Sequence, residues 1–281
     1  MIVQLMAWIG NKQIVTSDIS LETVHLMQAT LNRDPALDQG NELPPAWHWL
    51  FFHKPVRARD LSPDGHARLG GFLPPIHFGE QSPRRMWAGG TIEFVRPLRI
   101  GDHATKVSTV QSITPKQGRS GRLFFVVVTH EVLVENERCL MEEQTLVYRE
   151  PVKTAVGAGE APCAPTDGEF AAVYHPDPML LFRYSALTFN THRIHYDVDY
   201  CREVEAYPGL VVHGPLTATL LLDLFSHHNP HKPIRRFDYR MRSPLFSPHP
   251  FSVHGKADGQ AWVRNHLGGM AVSAHISHGN S

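Results

Sequence analysis

GPLTATLLLDLFS, residues 214–226, is the stretch that decides the fold. Apolar residues run almost without interruption from Leu216 to Phe225, so a helix here is buried rather than amphipathic, and it is entered through the Pro-Gly turn at Pro208-Gly209. Residues 237–245, 251–255, 260–265 and 270–276 follow it and resemble strands. One buried helix with strands behind it needs a sheet that curves around it.

The same order of elements precedes it. Residues 16–32 read as a helix, with Ser17, Asp18 and Ser20 as candidate caps and Leu21, Val24, Met27 and Leu31 at helical spacing. Residues 90–98, 104–113, 123–134 and 139–148 alternate as strands, with turns at Gly101-Asp102, at 117–121 and at Glu135-Asn136. The stretch between, up to about Pro83, is irregular: Pro44-Pro45, Gly70-Gly71 and Pro74-Pro75 break it, and it carries Trp47, Trp49, Phe51 and Phe52. Residues 150–177 have the Ala, Gly and Pro content of a surface linker. The segment 97–102 (PLRIGD) lines up with 244–249 (PLFSPH), consistent with duplication. The expectation is an α+β chain of two similar halves, each a curved antiparallel sheet around one helix: 1–150, a linker 151–177, and 178–281.

Bulk composition narrows the function. Lys plus Arg equals Asp plus Glu at 27 each, so no global field draws nucleic acid or an anionic membrane. Three separated cysteines, Cys139, Cys163 and Cys201, make neither a disulfide framework nor a zinc ribbon. With no signal-peptide pattern and no long apolar run, a soluble chain in a reducing cytoplasm is expected.

Chemistry concentrates in TFNTHRIHYD, residues 188–197, where Asn190, His192, His195 and Asp197 follow no clean helix or strand period. In a chain with 19 histidines, chance clustering and solvated or core histidines are one reading. A metal site through His192, His195 and Asp197 is a second, weakened because no matching ligand pair occurs elsewhere. Acid/base work on a small molecule is the third: a histidine moves protons near neutral pH while an amide or carboxylate fixes a water. PGLVVHGP, residues 208–215, favours it, because the buried helix then opens with free N–H groups and a glycine that a ligand can approach. The basic, glycine-containing loop 116–121 is either a solvated hairpin or, through Lys116 and Arg119, a contact for phosphates.

These residues resemble a family. His195-x-Asp197 followed by Val212-His213-Gly214 is similar to the hydratase motif of the MaoC-like (R)-specific enoyl-CoA hydratases and dehydratases. FRYSALTFNTHRIHYD, YPGLVVHGPLTA, RMWAGG, KQGRSG and VYRE together resemble the double hot-dog subgroup of that family, which holds mesaconyl-CoA and itaconyl-CoA hydratases and mitochondrial type 2 hydroxyacyl-thioester dehydratases. The resemblance implies a double hot-dog whose second half is catalytic. It also implies water addition across a double bond conjugated to a thioester, with Gly214 polarising the carbonyl and His195 carrying protons.

The family's aspartate position holds Asn190, which can orient water but cannot act as a base; Asp197 and His192 are the alternative second groups. Arg183, Arg193 and Arg85 are candidates to face a substrate carboxylate, and Trp87 to line the tunnel. No metal or separate cofactor is expected, coenzyme A being part of the acyl-CoA substrate; G-x-G-x-x-G and G-x-x-x-x-G-K-[ST] are both missing. A dicarboxylic five-carbon enoyl-CoA giving citramalyl-CoA is the preferred substrate, with a fatty-acid-type dehydratase, a thioesterase or a non-catalytic acyl-CoA binding protein as alternatives. Such a chain can stand alone or pair as a homodimer.

Overall fold

The computed structural model describes residues 2–79, 83–118, 121–150 and 161–279. The elements run α1 (Ile2–Met6), β1 (Lys12–Asp18), α2 (Leu21–Thr30), β2 (Arg84–Phe94), β3 (His103–Gly118), β4 (Gly121–Val134) and β5 (Glu137–Arg149). They continue with β6 (Phe170–Tyr174), α3 (Pro178–Leu187), α4 (Val198–Glu203), α5 (Gly214–His228), β7 (Ile234–Met241), β8 (Phe251–Gly255), β9 (Gln260–Asn265) and β10 (Met270–His278).

Among the described residues ten strands form one sheet in the order β1-β3-β4-β5-β2-β7-β10-β9-β8-β6, with all the strand pairings antiparallel. Read outward from the centre, β2-β5-β4-β3-β1 and β7-β10-β9-β8-β6 are the same topology twice. The duplication suspected from the PLRIGD and PLFSPH segments is therefore present in strand order, and the double hot-dog holds. The halves are joined edge to edge by β2 and β7, where Gly90 lies opposite Tyr239 and Ile92 opposite Phe237. Edge-to-edge pairing satisfies ladder donors that either half alone would leave open.

α5 is the buried helix read from the sequence: Leu216 through Leu222, Leu224 and Phe225 are all buried, and the helix packs on β6, β7, β8 and β9. Its core is continuous with that around Trp47, Leu50, Phe51 and Phe52, so the irregular aromatic stretch fills space beside the shorter α2. A second core, with Ile76, Phe78, Val126, Val128 and Tyr148, lies where residues 69–78 cover β3, β4 and β5.

Two expected boundaries shift. The helix expected over 16–32 starts later, at Leu21 with Ser20 as its cap, because residues 12–18 alternate exposed and half-buried and pair with β3. The expected linker contains a strand: β6 alternates in the same way and pairs with β8, its small Ala171 and Ala172 masking the pattern in composition. Residues 151–160 of that linker lie outside the described residues. Among the described residues, no helix is long and apolar enough to cross a membrane.

Candidate active site

The loop after α3 is built by local hydrogen bonds. Asp177 caps α3 by accepting from Leu180 N–H at 2.7 Å. The helix ends as Phe189 takes a left-handed φ of 47° and Asn190 N–H closes on Ser185 O at 2.8 Å. Non-glycine residues adopt that conformation rarely, and such strain gathers at functional sites. Asn190 Oδ1 then accepts from His192 N–H at 3.0 Å, and a single tight turn over Arg193–His195 directs His195 inward. Asp197 goes elsewhere: one oxygen caps α4 through Tyr200 N–H at 3.0 Å and the other pairs with Arg193 at 2.7 Å. Asp197 is therefore a structural carboxylate on the outer side of the loop, so His192, His195 and Asp197 do not converge as metal ligands. Arg193, stacked on Tyr200 and ion-paired, is spoken for as well.

Four histidine rings stand in a row. His66 and His192 have ring centroids 4.0 Å apart, His192 and His195 5.5 Å, and His195 and His213 3.7 Å in a stacked pair. Burial strips water from them and disfavours the imidazolium. It brings His195 and His66 down to about 4, with the Val211 carbonyl opposing the shift at the first and Arg85 adding to it at the second. His192 and His213 lie far below the ordinary range, through burial and then the neighbouring rings. His195 Nδ1 sits 2.7 Å from Val211 O. A carbonyl only accepts, so Nδ1 carries the proton and Nε2 of the neutral ring keeps its lone pair. His213 Nε2 is held at 2.8 Å by Ser185 Oγ.

Three of these rings line a cavity of about 610 Å³ where residues of the two halves meet, with Asn190, His66, His192 and His195 in its wall together with the start of α5. α5 begins at Gly214, so its first N–H groups lack intrahelical acceptors and carry the positive end of the helix. A Cβ at Gly214 would sit 2.5 Å from Trp87 Cε3. Glycine thus lets the indole close over the helix start, and Trp87 forms cavity wall with Tyr239 and Trp49 packed behind it.

Of the three carboxylate-binding arginines expected, only Arg85 lines the cavity. Arg183 is exposed on α3. Lys116 is exposed at the far end of β3 with its ammonium over the Phe125 ring, away from the cavity, and Arg119 lies outside the described residues. Arg84 joins the wall but is bound in a buried pair with Glu205 at 2.8 Å, whereas Arg85 and Arg149 face the cavity with no carboxylate in ion-pair range among the described residues.

Sequence reasoning missed Asp64 and His66, which reach the cavity from the irregular stretch before β2. Their signal was an Asp-Gly-His turn inside a segment dismissed as irregular. Asp64, His66 and His192 place ligand-type atoms within 4.8 Å of one another. The hydrogen bond that occupies Asp64 Oδ2 and His66 Nδ1, together with the cation of Arg85 alongside, makes this a hydrogen-bonded pair rather than a cation site.

Comparison with known proteins bears on the family and the fold. Residues 46–247 match the family of hydroxyacyl-thioester dehydratase type 2. The chain is 44% identical to the mesaconyl-C(4)-CoA hydratase of Chloroflexus aurantiacus over 255 residues, 90% of this chain and 89% of that one. It is 28% identical to the mitochondrial hydroxyacyl-thioester dehydratase type 2 of Schizosaccharomyces pombe, over 85% of each. Among solved structures, a MaoC-like dehydratase from Phytophthora capsici superposes with a TM-score of 0.68 at 12% identity, covering 100% of this chain and 99% of that one. A double hotdog protein of Mycobacterium tuberculosis superposes at 0.56 and 14% identity, over 96% of each.

Proposed function

The chain belongs to the hydroxyacyl-thioester dehydratase type 2 family, and from that premise we propose that it is a hydratase adding water reversibly to an enoyl-CoA, with a five-carbon dicarboxylic acyl group as substrate. The carrying observation is His195. It is a buried neutral imidazole, tautomer pinned by Val211 O, in the wall of the cavity that the Gly214 helix start also lines.

In this reading His195 Nε2 takes a proton from water as the water oxygen bonds to the β-carbon. The electron pair of the double bond moves toward the thioester oxygen, and the Gly214 N–H with the positive end of α5 stabilises that enolate. Asn190 holds the loop: its carbonyl oxygen is committed to His192 N–H, leaving the amide N–H groups to orient water. None of this needs a cofactor beyond the coenzyme A of the substrate.

The dicarboxylic substrate is supported by Arg85. In mesaconyl-C4-CoA the second carboxylate sits on the carbon that water attacks, so its cation must lie near the water-activating rings. Arg85 lines the cavity, and its charge acts on His66 and His192. The 44% identity to a mesaconyl-C(4)-CoA hydratase supports the same substrate; itaconyl-CoA, yielding the same citramalyl-CoA, is the related candidate. The second reading, dehydration of (R)-3-hydroxyacyl thioesters, is favoured by the S. pombe relative.

Purified protein incubated with mesaconyl-C4-CoA, itaconyl-CoA or crotonyl-CoA separates the two. Loss of conjugated-thioester absorbance is followed for the first and third, and chromatographic appearance of citramalyl-CoA for the second. Faster turnover of the dicarboxylyl substrates is expected; equal or greater activity on crotonyl-CoA would sink the dicarboxylate reading.

A further inference from the structure

We propose that Asp64 and His66 form a second acid/base pair in this site, contributed by the first half of the chain, with His66 a catalytic residue and Asp64 the residue that positions it. The proposal rests on the hydratase reading above.

The pair is fully formed. Asp64 Oδ2 lies 2.9 Å from His66 Nδ1, and Asp64 Oδ1 accepts from the His66 backbone N–H at 3.0 Å. One carboxylate therefore fixes both the ring's orientation and its tautomer, as the acid of a catalytic triad does for its histidine.

The pair is also locked to the hydratase loop. Arg193 N–H donates to Asp64 O at 2.9 Å, Arg193 Nη1 to Pro63 O at 3.2 Å, and Thr191 Oγ1 to Gly65 O at 2.5 Å. Gly65, at φ +91°, would place a Cβ 1.8 Å from Thr191 O. Only glycine permits that contact. The loop carrying His66 is thus pressed backbone to backbone against the loop carrying His192 and His195, and all three rings share the cavity wall.

Hydration needs a group that removes a proton from water and a group that delivers one to the α-carbon. Asn190, an amide, can do neither. The two histidines differ in what backs them: burial keeps the His195 ring neutral while the Val211 carbonyl fixes its tautomer, whereas the Asp64 carboxylate behind His66 favours an imidazolium. His195 takes the water proton as the C–O bond forms, the enolate gathers at Gly214, and the α-carbon takes the proton held by His66. The proton left on His195 then passes through His192 to His66, so one water is added and both rings are restored.

The charged and titratable groups facing His66 are Asp64, Arg85 from β2, and His192 and His195. Burial and Arg85 oppose its protonation and Asp64 favours it. A substrate carboxylate seated on Arg85 offsets that opposition, so binding of a dicarboxylyl thioester arms the acid.

The test compares the full-length wild type with His66→Gln, Asp64→Asn and His195→Gln on mesaconyl-C4-CoA and crotonyl-CoA, with thermal melts as the folding control. His66→Gln is expected to lose at least about a hundredfold in kcat, the scale of a positioned acid or base, with KM held within about threefold. Asp64→Asn is expected to lose about tenfold and to move the alkaline limb of the kcat–pH profile to lower pH, since the imidazolium loses its carboxylate. Loss of packing alone would scale the profile without shifting it. Wild-type kcat in a folded His66→Gln, or an unmoved limb in Asp64→Asn, overturns the pair while activity lost in His195→Gln leaves the hydratase reading standing. A wild type inert on both thioesters overturns that reading and the pair with it.

Discussion

Mild acid should destabilise this protein, because the fold keeps several histidines neutral. His66, His130 and His195 are each brought to about 4 by burial, against about 6.5 in an unfolded chain. Since the folded value is the lower, the unfolded chain binds more protons across that window, and stability falls as pH falls from about 6.5 toward 4. Between about pH 7.5 and 5.5 each ring costs roughly 1.3 kcal/mol by linkage, or roughly 4 kcal/mol for three. Asp223 works in the opposite direction: burial raises it to about 6, so the folded state gains a proton first and roughly 1 kcal/mol returns. Glu142, held at about 2 mainly by His48 against its burial, contributes stability that is lost only below about pH 4.5, outside this window. The net loss of about 3 kcal/mol corresponds to a fall in Tm of about 6–12 °C for a chain of this size. His192 and His213 are depressed further and add with the same sign. Thermal unfolding by circular dichroism at the two pH values and constant ionic strength measures it. An equal or higher Tm at about pH 5.5 would refute the picture of a site built from buried neutral imidazoles. His130→Asn should shrink the loss by about 1 kcal/mol.

Three further outcomes are expected. His195→Ala should cut kcat by at least about a hundredfold while coenzyme A thioester binding, read by calorimetry, persists; unchanged turnover removes His195 from the mechanism. Gly214→Ala puts a methyl 2.5 Å from Trp87 Cε3, which should cost about 1–3 kcal/mol of stability as overpacking and lower kcat by displacing the helix start; melts and steady-state rates report the two effects separately. Arg85→Gln should raise KM for mesaconyl-C4-CoA by about tenfold or more while leaving crotonyl-CoA within about threefold, as loss of a charged hydrogen bond to one carboxylate requires; equal effects on both substrates would assign Arg85 to the coenzyme A portion instead.

Much of the frame was legible because local pattern and tertiary demand agree. α5 is apolar on nearly every side, so it had to be wrapped, and the eight strands expected from the sequence carry β-type residues between turns, with β4 and β8 alternating most cleanly. β1 and β6 were missed because both are short edge strands with mixed faces: β1 half-buries Gln13, Val15 and Ser17 and exposes Ile14, and β6 half-buries only Phe170, Ala172 and Tyr174 within an Ala-, Gly- and Pro-rich stretch. The site was legible chiefly where it is contiguous, with Arg85 and Trp87 the more distant candidates that also line the cavity. Asn190, His192 and His195 occupy one loop, and Gly214 opens the helix that follows.

What the chain's order could not reveal is which side chains share a cavity. Asp197 stands two residues from His195, yet it faces outward, since the tight turn before it rotates successive side chains by about a third of a turn and Arg193 and the α4 cap hold it there. His66 stands 129 residues away, yet it is packed into the row. By itself the sequence determined two similar strand-rich halves, a buried helix and a histidine loop before its N-terminus, because periodicity and turn chemistry act over a few residues. Only the tertiary structure decided that Asp64, His66 and Arg85 line one cavity with that loop and that Arg183, Arg193 and Lys116 do not, because convergence at a cavity depends on how distant loops dock.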